Sequence, residues 1–263
     1  MKQVETSRKI IRVTGNKAEK IEDTIVTEYA VTVKLNGEEL VTMVCTPEYI
    51  EDMVIGYLAS EGIIRSYKHI KDIWVQEKEG FVHVTTDRTN PYIQNFQNKR
   101  YITSCCGMSR QGFVFVNDAL TAKKMEDVNI QLTVNECNQL MEQLQASATT
   151  FKQTGGVHSA ALCDKNGILL SRMDIGRHNA LDKIYGYSLR EGISMKGKII
   201  VFTGRISSEI LLKVAKIGCE MILSKSAPTE FALRSAEELG ITTVGFIRNG
   251  NMNIYTYPER ILL

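Results

Sequence analysis

The sequence predicts an α+β domain followed by a three-layer α/β domain, and two patterns support this fold class. In the first half, alternating apolar residues on both sides of Asn36-Gly37 are typical of a β-hairpin. In the second half, apolar strands alternate with amphipathic helices from Lys198 onward, which predicts right-handed crossovers and a largely parallel sheet. We place a soft boundary between residues 125 and 155, with predicted domains at 1–130 and 131–263.

The first domain is predicted to begin with a loose arm or a weak edge strand, because its opening residues are polar and basic without a sustained period. Two strands between residues 24 and 45 then form the first hairpin. A helix is predicted from Pro47 to Glu61-Gly62, since acidic residues in its first turns suit the helix dipole. A second hairpin turns at Glu79-Gly80, and the polar residues 87–99 form a loop.

The second domain is predicted to contain four helices and six strands. A helix lies within residues 129–150, and a short hairpin at 159–170 turns at Asn166-Gly167. Another helix follows Asp174 and continues through Tyr187. The remaining predicted elements are strands at 199–203, 221–224, 242–247 and 253–256 and helices at 207–217 and 229–239.

Composition and charge exclude several classes of protein. The 263 residues are 43% hydrophobic and 24% charged, which is ordinary for a soluble globular chain. A net charge of +2 implies no bulk attraction to nucleic acid or to an anionic membrane. The sequence shows no apolar signal-peptide core and no apolar run near the ~20 residues that span a bilayer. Six cysteines in such a chain predict free thiols and a cytoplasmic location.

The adjacent Cys105 and Cys106 are the most informative residues. They lie among small and polar residues, whereas the four other cysteines have apolar neighbours typical of a core. The nearby Arg110 favours the thiolate, which is the form that attacks or carries sulfur. Adjacent cysteines make a poor chelating pair for one tetrahedral metal, so we predict no metal site. The residues alone therefore favour a nucleophile or a persulfide carrier over a metal ligand, and they leave open a pair without a functional role.

Two further segments combine glycine with histidine. Gly155-Gly156-Val157-His158 precedes a strand, and Gly176-Arg177-His178-Asn179 precedes a helix. Each can be a simple turn or cap. The second can also bind an anion, because a helix N-terminus presents free N–H groups. Having both in one chain raises the expectation that they line one pocket.

Polar turns follow three of the predicted strands in the second domain. These turns are Thr203-Gly204-Arg205, the segment 225–229 and the segment 246–251. In open α/β sheets, ligands bind outside the carboxyl ends of the strands. The turns lack the Walker and Rossmann patterns, yet together they predict a cradle for a phosphorylated or nucleotide-like ligand.

A set of motifs runs in order over nearly the whole chain. They are Thr46-Pro47, Glu51-Asp52, Glu61-Gly62, Ser104-Cys105-Cys106-Gly107 and the segments 155–160, 176–183, 203–205, 226–228 and 246–248. The Gly-Arg-His-Asn-Ala-Leu-Asp-Lys segment at 176–183 is especially specific. On these motifs the chain resembles the FdhD family, the formate dehydrogenase accessory sulfurtransferases.

The resemblance implies a sulfurtransferase with a cysteine persulfide intermediate. Family members take sulfur from a cysteine desulfurase and deliver it to the molybdenum bis(molybdopterin guanine dinucleotide) cofactor of formate dehydrogenase, which they bind as a substrate. They are cytoplasmic homodimers, and the catalytic subunit of formate dehydrogenase is a further partner. Their C-terminal domain resembles the cytidine deaminase fold without its zinc motif, in keeping with the missing His-x-Glu and Pro-Cys-x-x-Cys patterns here.

The resemblance also assigns roles to particular residues. The family's Cys-Gly-x-Cys motif matches Cys106-Gly107-Met108-Ser109, so that Cys106 is the implied catalytic persulfide carrier. Ser109 replaces the second motif cysteine, which leaves a paired-cysteine mechanism open to question, and Cys105 and His158 are candidate assisting residues. The implied cofactor-binding residues are Phe246, Ile247, Arg248, Asn249, Gly250 and Asn251, with Arg177, His178, Gly204 and Arg205 as weaker candidates.

Other functions stay open at this point. A chaperone that holds the molybdenum cofactor without transferring sulfur is favoured by Ser109. A dithiol oxidoreductase could use Cys105 and Cys106 as a vicinal disulfide. A decayed deaminase is disfavoured because the zinc ligands are missing.

Overall fold

The computed structural model describes residues 3–87, 101–102, 122 and 124–263, with only the backbone described at 101–102. These residues form a mixed α/β fold with one five-stranded sheet, one six-stranded sheet and two two-stranded sheets. The predicted combination of helices and strands is therefore confirmed. Within the described residues, no helix is long and apolar enough to cross a membrane.

The first two strands form a hairpin, rather than the loose arm or weak edge strand that the sequence predicts. β1 (Glu5–Thr14) and β2 (Lys17–Val26) pair antiparallel along their whole lengths. The polar composition hides this pairing, because charge compensation replaces apolar alternation. Lys9 faces Glu22 and Arg12 faces Glu19 across the two strands, and opposite charges at facing positions stabilise a strand pair.

The five-stranded sheet contains both predicted N-terminal hairpins. Asn36 and Gly37 have φ values of 51° and 91°, the left-handed conformations that a two-residue hairpin turn requires. Parallel pairing of the third and sixth strands of the chain joins the two hairpins into one sheet. The strands are β3 (Tyr29–Leu35), β4 (Glu38–Cys45), β5 (Ile70–Gln76), β6 (Phe81–Thr86) and β7 (Tyr101–Ile102), in the order β5-β6-β3-β4-β7.

Helix α1 (Ile50–Ser60) covers this sheet, and its Met53, Ile55 and Leu58 pack in the same apolar cluster as the strands. The helix begins later than Pro47, because Tyr49 has a left-handed backbone (φ 53°) that a right-handed helix cannot include.

Parallel pairing is confirmed for the three strands that alternate with helices, but the six-stranded sheet as a whole is mixed rather than largely parallel. The three strands that pair parallel are Ile199–Phe202, Met221–Ser224 and Thr242–Arg248, and antiparallel hairpins flank them on both sides. The strands are β9 (His158–Asp164), β10 (Gly167–Asp174), β11 (Ile199–Phe202), β12 (Met221–Ser224), β13 (Thr242–Arg248) and β14 (Asn251–Thr256), in the order β10-β9-β11-β12-β13-β14. A small parallel pair, β8 (Leu132–Thr133) and β15 (Ile261–Leu262), lies beside them.

Helices cover both faces of the six-stranded sheet, which gives three layers. One face packs against α2 (Val134–Ser147), which is followed by the short α3 (Thr149–Thr154). The other face packs against α4 (Arg177–Arg190), α5 (Ser208–Ile217) and α6 (Glu230–Leu239). Strand β9 contributes alternate residues to the two sides, since Leu162 faces α4 and α5 while Cys163 faces α2.

The predicted ends of α5 and α6 are confirmed within one residue. Ser207 and Thr229 act as N-caps and accept backbone N–H groups of the first turns. Gly218 and Gly240 end the two helices in left-handed conformations, with φ values of 99° and 73°.

The parts of the structure built on the two large sheets meet where α1 crosses α4. A Cβ added at Gly56 would overlap the backbone of Asp182, and one added at Gly186 would overlap the backbone of Asp52. The two glycines therefore let the helix backbones approach closely. Because β10 leads directly into α4, this crossing also fixes the loop between them.

Candidate functional site

Hydrogen bonds connect the three predicted turns at one edge of the six-stranded sheet. The turn after β12 is bonded both to the turn after β13 and to the turn after β11. Phe246 donates its backbone N–H to the carbonyl of Ser226 at 3.3 Å. Ser226 Oγ donates to the carbonyl of Thr203 at 2.9 Å. The turns after β11, β12 and β13 thus form one continuous surface, as the geometry of parallel strands requires.

His158 lies at the same edge because β9 runs antiparallel to β11. Ser159 donates its backbone N–H to Thr203 Oγ1 at 3.0 Å, which holds the start of β9 beside the end of β11. A Cβ at Gly204 would lie 3.4 Å from His158 Nδ1 and 2.8 Å from the Phe202 ring. Glycine at position 204 therefore leaves the space that both rings occupy. We call His158 and the three turns the strand-end site.

Arg177 begins α4 beside this site and affects the charge of His158. Burial lowers the pKa of His158 below its ordinary value, and the positive charge of Arg177 lowers it further. His158 is therefore mostly neutral at pH 7. A neutral imidazole offers both a proton acceptor and a proton donor.

His178 is paired with α5. Its Nε2 lies 3.0 Å from Glu209 Oε2. Burial lowers the pKa of His178, and the contact with Glu209 opposes part of that shift. Because Glu209 already occupies one side of this imidazole, His158 is the better placed of the two for proton transfer at the strand-end site.

The three candidate arginines differ in their surroundings. Arg177 has a buried Nε atom without a hydrogen-bond partner in the described part of the chain. Buried N–H groups are nearly always paired, so this atom is suited to an anionic ligand. Arg205 is exposed on the turn after β11. Arg248 is also exposed, and its guanidinium carbon lies 5.4 Å from the centre of the Phe246 ring.

The segment predicted to bind the cofactor forms the β13–β14 hairpin turn. Phe246 and Asn249 have left-handed backbones, with φ values of 55° and 52°, and Gly250 has φ of 78°. Such conformations are strained outside glycine and cluster at functional sites. Ile247 is 1% exposed and packs in the core below α2, so only its backbone can contact a ligand. Asn249, Gly250 and Asn251 are exposed.

Asp174 organises the loop that carries Arg177 and His178, a role that the sequence does not reveal. Its carboxylate is fully buried at the end of β10. Oδ1 accepts the backbone N–H of Gly176 at 2.8 Å and Nδ2 of Asn179 at 2.9 Å. These bonds fix the chain on both sides of Arg177.

The same carboxylate connects this loop to the N-terminal part of the chain. Asp174 Oδ2 accepts the backbone N–H of Thr46 at 2.9 Å and lies 2.7 Å from Lys183 Nζ. Lys183 also donates to Thr46 Oγ1 at 2.7 Å. Both charged side chains are fully buried. The Thr46-Pro47 motif, β10 and α4 are thus held by one buried network.

Cys105 and Cys106, the predicted sulfur carrier and its neighbour, lie outside the described residues, as does Ser109. The four cysteines that are described, Cys45, Cys137, Cys163 and Cys219, are all buried and free. Burial raises the pKa of the Cys45, Cys137 and Cys163 thiols to about 12. Burial also raises the pKa of Cys219. The prediction that these four cysteines belong to the core is confirmed.

In the described ranges, no group of three or more His, Cys, Asp or Glu side chains is arranged so that it could hold a metal ion. The strand-end site instead offers backbone N–H groups, one neutral imidazole and guanidinium groups. These donors suit the phosphate and base edges of a nucleotide.

Comparisons with known proteins all point to one family. The model of the FdhD/NarQ family matches residues 26–262. The sulfur carrier protein FdhD of Shouchella clausii is 56% identical over 263 residues, which cover 100% of this chain and 98% of that protein. The sulfur carrier protein FdhD of Bacillus subtilis is 52% identical over 259 residues, which cover 98% of each chain.

A solved structure has the same fold. The crystal structure of a protein from Desulfotalea psychrophila, assigned as a formate dehydrogenase accessory protein, superposes with a TM-score of 0.80 at 23% sequence identity. The match covers 99% of this chain and 100% of that chain.

Proposed function

We propose that this chain, which belongs to the FdhD/NarQ family, is a sulfur carrier that bears its sulfur as a persulfide on Cys106. We further propose that a cysteine desulfurase supplies the sulfur. The acceptor is the molybdenum bis(molybdopterin guanine dinucleotide) cofactor of formate dehydrogenase. The names of the relatives support the carrier role, and the sulfur donor and the acceptor are what the resemblance to the family implies.

One observation carries the assignment to the Cys105-Cys106 pair. All four described thiols are buried, and burial raises the pKa of each above the ordinary value. A buried thiol of this kind cannot reach a partner enzyme and holds almost no thiolate at neutral pH. Of the six cysteines in the sequence, only Cys105 and Cys106 then remain as carriers.

The loading step is a thiolate exchange on sulfur. Cys106 thiolate attacks the outer sulfur of the desulfurase persulfide, and the sulfur–sulfur bond of the desulfurase breaks. The desulfurase cysteine leaves as a thiolate, and the outer sulfur is now bonded to Cys106. A low-pKa leaving thiol speeds such exchanges, and an attacking thiol whose pKa is near the ambient pH is most effective. Arg110, four residues further along the chain, is the proposed source of the positive charge that favours the Cys106 thiolate.

The strand-end site is the proposed binding place of the cofactor as a bound substrate. The unpartnered Nε of Arg177 and the exposed guanidinium of Arg248 suit the diphosphate groups. The exposed Asn249 and Asn251 side chains, with the backbone of Ile247 and Gly250, offer donors and acceptors for a guanine edge. A neutral imidazole can take or give a proton, and we assign this role during release of the sulfur to His158.

The proposal includes an assembly and a place in the cell. We expect a cytoplasmic homodimer that meets the desulfurase and the catalytic subunit of formate dehydrogenase in turn. We also propose that the three-layer part is related to the cytidine deaminase fold. A sheet with helices on both faces and polar turns at one edge supports that relation.

Cys106→Ala is expected to abolish loading of the chain with sulfur, because no other accessible thiol is proposed to accept it. The chain is incubated with a cysteine desulfurase and sulfur-labelled cysteine, and protein-bound label is counted. Cys105→Ala is the matched control and is expected to keep most of the label. Undiminished labelling of Cys106→Ala would refute Cys106 as the carrier.

Arg177→Ala is expected to weaken binding of GDP, a fragment of the proposed cofactor, by about 10- to 100-fold. A hydrogen bond to a charged group contributes about 1.5–3 kcal/mol, and each 1.4 kcal/mol is a factor of ten. Arg248→Ala, at an exposed position, should weaken binding without affecting the fold. Titration calorimetry gives the dissociation constants. Arg234→Ala, an exposed arginine paired with Glu230 on α6, is the control, and equal affinity in all four proteins would contradict the proposed site.

The holding chaperone is the second candidate, because Ser109 removes one cysteine of the family motif. It differs from the carrier in a single respect: it needs no sulfur on Cys106. Active formate dehydrogenase in cells that contain only Cys106→Ala would favour it.

A further inference from the structure

A cavity of about 670 Å³ lies beside the first turn of α1 and is lined also by Tyr187 and Arg190 of α4. Its walls come from the segment before α1, from strand β5 and from the ends of β10 and α4. None of the residues assigned above to sulfur or cofactor binding lines it. Its chemistry therefore requires a separate explanation.

The cavity is acidic, although the chain as a whole is not. Four carboxylates, those of Glu48, Glu51, Asp52 and Glu77, line it, against the two guanidinium groups of Arg172 and Arg190. The whole chain carries a net charge of +2. The excess of negative charge is thus a local property of this surface, and it favours a cationic ligand.

Both arginines already pair with Asp52, and Arg190 pairs with Glu191 as well. Arg172 Nη2 lies 3.3 Å from Asp52 Oδ2, and Arg190 Nη1 lies 2.6 Å from Asp52 Oδ1. Asp52 and Arg172 are both nearly fully buried. The carboxylates of Asp52 and Glu191 balance the two guanidinium charges, so Glu48 and Glu51 set the sign that a ligand meets.

Aromatic rings in the walls are suited to a guanidinium group. The guanidinium carbon of Arg172 lies 3.8 Å from the centre of the Tyr49 ring and 5.0 Å from that of Tyr187. Such contacts stabilise a cation over a ring face. The cavity therefore already holds one guanidinium between rings.

Two aromatic side chains at the cavity remain largely open to solvent. Tyr49 is 51% exposed and has the left-handed backbone that ends the segment before α1. Trp74 is 45% exposed, with one ring face stacked on His83 at 4.0 Å. Exposed aromatic rings and a strained non-glycine backbone are features of binding surfaces.

We propose that this cavity is a docking site for a basic segment of a partner protein, with an arginine or lysine side chain placed among the glutamates and the rings of Tyr49 and Trp74. The ligand class follows from the excess of carboxylates and from the guanidinium already stacked in the wall. The site is independent of the proposed sulfur chemistry, since it shares no residue with the strand-end site or with the Cys105-Cys106 pair.

The single tryptophan of the chain makes the test direct. Because Trp74 lines the cavity, its fluorescence reports binding there. Titration with the peptide acetyl-Arg-Arg-Arg-amide at low ionic strength should give a saturable change. The tri-citrulline peptide has the same shape without charge, and it should give none, as should a triglutamate peptide.

The double substitution Glu48→Gln and Glu51→Gln should weaken triarginine binding about 3- to 10-fold, since exposed charge pairs contribute ~0.2–1 kcal/mol each. Glu237→Gln with Glu238→Gln removes the same charge from exposed positions on α6, outside the cavity, and should leave binding unchanged. The proposal is overturned if triarginine gives no saturable change, if tri-citrulline or triglutamate binds as well, or if both double variants bind equally.

Discussion

Gly186→Ala is expected to destabilise the chain by at least about 3 kcal/mol, because the new Cβ would overlap the backbone of Asp52 on the facing helix. Gly56→Ala should have a similar effect, since its Cβ would overlap the backbone of Asp182. Overpacked cores usually lose 1–3 kcal/mol. The cost should be higher here because no flexible side chain can move aside, so that α1 and α4 must separate.

Gly192→Ala is the matched control for this prediction. Gly192 follows α4 with φ of 64°, and a Cβ there would meet no atom within 4 Å. Its replacement should cost only the ~1–2 kcal/mol of a left-handed non-glycine residue. Urea unfolding followed by circular dichroism gives the free energies of unfolding. A loss for Gly186→Ala no greater than that for Gly192→Ala would disprove close backbone packing at the helix crossing.

Lys183→Met is expected to cost about 3–5 kcal/mol, the usual penalty for removing one partner of a buried ion pair. Lys183 and Asp174 are fully buried at 2.7 Å from each other. The remaining carboxylate would be charged and uncompensated in the interior. Because Asp174 also accepts the Gly176 backbone N–H, the loop that carries Arg177 should lose order, and GDP binding should weaken as well.

Lys198→Met tests whether burial of an ion pair determines how much stability is lost when its lysine is removed. Lys198 forms a similar pair with Asp164 at 3.3 Å, but the two side chains keep 19% and 17% of their exposure. Partly exposed pairs contribute about 0–1 kcal/mol. Thermal unfolding should therefore separate the two variants clearly. Equal losses of stability in the two variants would mean that burial does not increase the contribution of the Asp174–Lys183 pair to stability.

Local patterns in the sequence predicted much of the secondary structure. Asn36-Gly37 specified its turn, because the turn itself requires left-handed residues. Ser207 and Gly218 gave the ends of α5, because capping is a local interaction. The pairing of β3 with β6 could not be predicted, since it joins strands that are distant along the chain. The β1–β2 hairpin was missed because charge pairs, not apolar alternation, hold it.

The candidate site was predicted unevenly for a related reason. The meeting of the turns after β11, β12 and β13 follows from the direction of parallel strands, which the alternating pattern indicated. The burial of Ile247 required the register of β13 against α2. Asp174 and Lys183 were not recognised as a buried pair. One signal was available: Lys183 falls beside Ala180 and Ile184 on the apolar face of α4, where a charged residue needs a partner.

The central claim, that Cys106 carries the sulfur that activates formate dehydrogenase, is tested most directly by a single reconstitution. The chain and its Cys106→Ala variant are treated with a cysteine desulfurase and cysteine, and each is added to formate dehydrogenase isolated from cells that lack this protein. Formate oxidation is then measured. We predict that the unchanged chain restores activity and that Cys106→Ala restores none. Equal activity with both proteins would contradict the account and leave the chain as a holder of the cofactor.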